Sequence, residues 1–73
     1  MPKLYSSKEI QSALNQMGFN FISQKGFHGK LKNQDGNVVI LPINKKEIPQ
    51  GTLSSILRQA GITLKQLKEA IEK

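Results

Sequence analysis

The chain has 73 residues, enough for a single small domain, residues 1–73, with a modest core. It contains no cysteine, which excludes a disulfide framework and a thiolate metal site; one histidine and five acidic residues argue against a dedicated zinc centre, and no cofactor is expected. The net charge is +6, concentrated where Lys25, Lys30, Lys32, Lys45 and Lys46 are opposed by Asp35 alone, as in a phosphate-facing patch, although lysines that only keep a small protein soluble would look the same. The first seven residues lack the apolar run of a signal peptide, and no stretch approaches a bilayer span, so a cytoplasmic protein with no membrane segment is the expectation.

In chain order, Ser6 and Glu9 stand at capping-box spacing. Ile10, Ala13, Leu14 and Met17 then fall on one helical face, and Gly18 suits the position just past a helix end. Phe19 to Gln24 alternates as a strand with Phe19 and Phe21 on one side, and Lys25-Gly26 breaks it. His28 to Lys32 reads as a second strand, weakened by Gly29. Asp35-Gly36 carries a hairpin turn signal, and Val38 to Leu41 is a β-branched apolar strand ended by Pro42. Lys45 to Gln50 reads as a loop. Leu53, Ile56, Leu57 and Ala60 form a helical stripe stopped by Gly61, and Thr63-Leu64-Lys65-Gln66 opens a final helix through Leu64, Leu67, Ala70 and Ile71. The order α-β-β-β-α-α predicts an α+β sandwich with an antiparallel three-stranded meander and all helices on one face. The last strand is apolar on both sides. With Val38 and Ile40 assigned to the helices, Val39 and Leu41 are left as an exposed apolar surface for a partner.

Two constellations carry candidate chemistry. Alternation places His28, Lys30 and Lys32 on one strand face, with Gly29 and Leu31 on the other. An imidazole can take the proton of a ribose 2′-hydroxyl, and ammonium groups beside it can neutralise charge growing on a phosphate. Gly26, next to Lys25, lets the backbone approach a ligand closely. His28 as an ordinary surface residue at a strand start fits the same pattern. The second constellation is the helix pair joined by Ala60-Gly61-Ile62-Thr63, which has the form of a helix-turn-helix with Leu64, Lys65 and Gln66 at the reading position. A packed pair closing the core is favoured, because the basic excess lies elsewhere.

Three ordered stretches resemble the HicA toxin family. Gln24-Lys25-Gly26-Phe27-His28 resembles its Gln-Lys-Gly-Ser-His segment. Asp35-Gly36 followed by Val38 to Pro42 resembles its turn and last strand. Gly51-Thr52-Leu53 with Ser55 to Ile62 resembles its Gly-Thr-Leu helix. The resemblance spans nearly the whole chain and implies a double-stranded-RNA-binding-like α-β-β-β-α fold, here with a short extra C-terminal helix. It further implies a toxin of a toxin–antitoxin pair that cleaves mRNA independently of the ribosome, with His28 catalytic, and a HicB-type antitoxin as partner. RNA contacts are expected from Lys25, Gly26, Lys30, Lys32, Lys45 and Lys46. The chain departs from the family pattern at Phe27, where serine is usual, at Gly29, often a second histidine, and at Asn44, near another frequent histidine. A non-catalytic RNA-binding module on the same fold is the alternative reading, and a DNA-binding regulator using the helix-turn-helix pair is the third.

Overall fold

The computed structural model describes residues 3–72; Met1, Pro2 and Lys73, which belong to the expected 1–73 domain, lie outside the described residues. Helix α1 (Ser7–Gln16) is followed by strands β1 (Asn20–Lys25), β2 (His28–Lys32) and β3 (Val38–Pro42), then helices α2 (Gln50–Ala60) and α3 (Leu64–Ile71). The strands form one antiparallel sheet in the order β1-β2-β3. This is the α+β, double-stranded-RNA-binding-like architecture, with α3 as the added helix. Among the described residues no helix is long and apolar enough to cross a membrane.

Local chemistry explains the starts of α1 and α3. Ser6 accepts the Glu9 amide N–H at 3.1 Å, and the Glu9 carboxylate accepts the Ser6 amide N–H at 2.9 Å. The bond from the Ser6 backbone holds the Glu9 carboxyl below its ordinary pKa, with Lys3 adding a smaller pull in the same direction. Thr63 and Gln66 make the same reciprocal pair at the start of α3. Substituting Thr63→Ala is expected to cost about 1 kcal/mol. That corresponds to a melting temperature lower by roughly 4–8 °C, read by thermal unfolding.

The core lies between the helices and one face of the sheet. Ile10, Ala13 and Leu14 of α1, Leu53 and Ile56 of α2, and Leu67 of α3 meet Phe19, Leu31, Val39, Leu41 and Ile48 there. The expected apolar stripes carry this burial, except that Leu64 at the start of α3 stays exposed.

The expectation for β3 is overturned. Val39 and Leu41 are fully buried, whereas Val38 is half-buried and Ile40 is 40% exposed. The cause is register. A two-residue Asp35-Gly36 turn would pair Lys32 with Val39 and place Val39 and Leu41 on the lysine face. The actual connection is longer. The Asn37 amide donates to the Asn33 side-chain oxygen at 2.8 Å, and the Asn33 amide donates to the Asn37 carbonyl at 3.1 Å. This closed loop pairs Lys32 with Val38, Leu31 with Val39 and Gly29 with Leu41. A one-residue shift moves every side chain to the other face, so Val39 and Leu41 join Leu31 in the core and offer no surface to a partner.

The outer edge of β3 is blunted. The Ile40 amide donates to the Gln59 side-chain oxygen at 2.8 Å, Pro42 has no N–H, and the Pro42 carbonyl accepts the Ser7 hydroxyl at 2.7 Å. At the opposite edge, β1 is exposed along its length and bulged between Phe21 and Ser23.

Candidate functional site

His28 opens β2 on the sheet face turned away from the helices, paired with Lys25 on one side and Pro42 on the other. The turn that delivers it is Gly26-Phe27. Gly26 has φ 59°, the left-handed conformation that a tight hairpin needs at its first central residue. Phe27 projects from this turn at 71% exposure. The Ile43 amide donates to the Phe27 carbonyl at 2.8 Å, which ties the turn to the segment leaving β3.

That tie creates a cleft of about 580 Å³ in which His28 and Phe27 face Asn44, Lys45 and Thr52, with Pro42, Ile43, Ile48 and Pro49 as the remaining walls. Among the described residues, no carboxylate lines it. A second cleft of about 600 Å³ lies on the other side of the ridge formed by Ile43, Asn44 and Lys45, and Lys46 and Lys8 line it. Asn44, in the lining of both clefts, sits at φ 59°, a conformation asparagine tolerates better than most residues.

The residues expected from the sequence therefore divide. His28 and Lys45 share one cleft, Lys25 pairs across from His28, and Gly26 shapes the turn beside them. Lys46 lies in the neighbouring cleft. Lys30 and Lys32 continue along β2 on the open face, exposed and alternating with buried Gly29 and Leu31, and line neither cleft. Val39 and Leu41 are in the core. Thr52 and Asn44 were not singled out by their chemistry. Their places depend on the packing of the loop after β3, which no local spacing encodes. Among the described residues, no three histidine, aspartate or glutamate side chains gather closely enough to hold a metal ion.

The position of Ser7 explains why the ridge is ordered. Its hydroxyl donates to the Pro42 carbonyl and accepts the Lys45 amide N–H at 3.0 Å, while its own amide donates to the Lys45 carbonyl at 2.9 Å. The first residue of α1 thus pins the segment that separates the clefts.

Compared with known protein families, residues 7–62 match the family described as HicA toxin of bacterial toxin–antitoxin systems. The chain belongs to the HicA toxin family. The match runs from the first residue of α1 through both clefts to the turn before α3, so α3 lies beyond it. A comparison with curated proteins returns no match. As a HicA-family protein, the chain is a toxin-type component that works with an antitoxin partner.

Proposed function

We propose that this HicA-family chain is an endoribonuclease that cleaves mRNA in the cytoplasm without the ribosome, with His28 as its acid–base residue. The carrying observation is an exposed imidazole at the head of β2, in an open cleft with Lys45, opposite Lys25, and with no carboxylate among the described lining residues. In this reading His28 removes the proton from a ribose 2′-hydroxyl. The freed oxygen attacks the adjacent phosphorus, and the bond to the next nucleotide's 5′-oxygen breaks. The products are a 2′,3′-cyclic phosphate and a 5′-hydroxyl end. Lys45 and Lys25 offset the charge that builds on the phosphate oxygens. One ring serves as base and then returns the proton, directly or through water.

In the same reading a HicB-type antitoxin neutralises the chain by covering His28 and the projecting Phe27, which would close the cleft. The test is expression of the chain with and without its antitoxin, with sequencing of RNA ends. New ends and growth arrest are expected only when the antitoxin is absent; unchanged RNA ends in arrested cells would refute the nuclease reading.

RNA affinity should also fall steeply with salt. About four or five phosphate contacts give a log–log slope of roughly −3 to −4 on single strands. A titration from low to moderate salt measures it, and a slope near zero would remove the lysines from the binding surface.

A further inference from the structure

The second cleft is built differently from the first. Three lysines, Lys8, Lys45 and Lys46, stand around it, three amides, Gln11, Gln24 and Asn44, reach it, and the Phe21 ring lies in its wall. Among the described residues, no acidic side chain lines it. Phe21 is an aromatic residue of the sheet's helix-facing side that remains 39% exposed.

The ring is seated by a specific absence. A Cβ on Gly29 would run into Cε2 of Phe21 and lie 3.1 Å from Cζ and 3.3 Å from Cγ2 of Ile43. Gly29 therefore lets the end of the ring lie over the strand backbone, beside Ile43. In this chain the space that a residue-29 side chain would fill belongs to Phe21.

We propose that this cleft is a base-binding subsite for single-stranded RNA, with Phe21 as the stacking platform. The proposal rests on the nuclease reading of the His28 cleft and deepens it. Every base has a π-face, so an exposed ring is a general platform, and the lysines supply the backbone countercharge. Gln11, Gln24 and Asn44 offer donors and acceptors to the base edge. In a duplex the bases are already stacked on one another, so only an unpaired base can enter. The volume of about 600 Å³ falls within the range of roughly 300–1,000 Å³ typical of small-ligand sites. The two clefts share Ile43, Asn44 and Lys45, so a strand with one base on Phe21 crosses that ridge into the His28 cleft. The subsite sets which nucleotide near the cut is preferred.

The chain contains no tryptophan, so Phe21→Trp introduces a single indole reporter. The full chain carrying Phe21→Trp and His28→Ala, which leaves the probe intact, is titrated with an eight-nucleotide single-stranded RNA and with the same RNA annealed to its complement. Quenching of the indole by the single strand and not by the duplex is expected. In gel-shift assays, Phe21→Ala should weaken single-strand binding by roughly 5- to 150-fold, the usual range for removing a base-stacking ring. Phe21→Leu, which keeps the apolar bulk, should lose most of the same affinity, and Gly29→Ala, which pushes the ring off the strand, should lose part of it. RNA binding with an unquenched indole and unchanged affinity in Phe21→Leu would overturn the subsite and leave the nuclease reading standing. Quenching by the antitoxin but not by RNA would assign the cleft to protein and also overturn it. Failure of the unmodified chain to bind any RNA would instead sink the nuclease reading itself.

Discussion

Replacing His28 by alanine is expected to lower RNA cleavage by roughly a hundred- to ten-thousand-fold, the usual loss when a general acid–base group is removed. Folding should barely change. His28 is exposed at the start of β2, and the pairing of β2 with both neighbours runs through backbone groups that alanine keeps. Deleting such a ring typically alters stability by less than about 0.5 kcal/mol. RNA binding should also persist, because Lys25, Lys30, Lys32, Lys45 and Lys46 remain. Lys30→Ala provides the contrast: it lies on the open face outside both clefts, so it should weaken binding and flatten the salt slope by about 0.7. Cleavage should then recover at high protein concentration. Lys45→Ala, inside the His28 cleft, should lower both rate and affinity. Paired cleavage and binding assays on purified variants, with thermal melts as controls, separate these effects. Wild-type cleavage by His28→Ala would refute the assignment, and its unfolding would make His28 a structural residue.

The sequence was most readable where structure is made by neighbours along the chain. The two capping boxes at Ser6–Glu9 and Thr63–Gln66 form as their spacing predicts, because each involves groups three residues apart. The alternation of β2 is equally local: His28, Lys30 and Lys32 face out while Gly29 and Leu31 face in. The facing of β3 was misread for a definite reason. Four consecutive apolar residues carry no alternation of their own, so their facing depends on the turn before them. Asp35-Gly36 carries a turn signal that sets no loop length, and Asn33 and Asn37 close a loop longer than two residues. Of the candidate site, the residue types and their charge were visible, but their grouping was not. Lys45 shares a cleft with His28 where Ile43 bonds to Phe27 and Ser7, 38 positions before Lys45, holds the loop. Phe21 gave no signal of its own, since the place of its ring over the strand depends on Gly29 being bare beneath it.

Ser7→Ala should be the most destabilising polar substitution among the described residues, where Ser7 is the one buried polar side chain. Ser7 is 5% exposed, and its hydroxyl satisfies two backbone groups at once, the Pro42 carbonyl and the Lys45 amide. Alanine leaves both without that partner. Each stranded group costs about 1–3 kcal/mol where water cannot reach it, and both bonds are only part-buried, so a loss of about 2–4 kcal/mol, below the full range of about 2–6, is expected. A chain of this length holds roughly 4–11 kcal/mol in total, so the melting temperature should drop by about 10–30 °C. Ser6→Ala is the natural comparison. It removes the helix cap next door at a cost of about 1 kcal/mol and leaves the loop tied. The two variants also differ in activity. Ser7 orders the ridge between the clefts, so Ser7→Ala should slow cleavage even well below its melting temperature, whereas Ser6→Ala should not. Ser7→Thr keeps the hydroxyl and should restore part of both stability and rate, less fully because its extra methyl enters a packed site. Thermal melts and single-turnover cleavage on the three variants decide the matter. If Ser7→Ala melts with Ser6→Ala and cleaves at the wild-type rate, the loop is held by its other contacts, and the hydroxyl of Ser7 has no part in shaping the site.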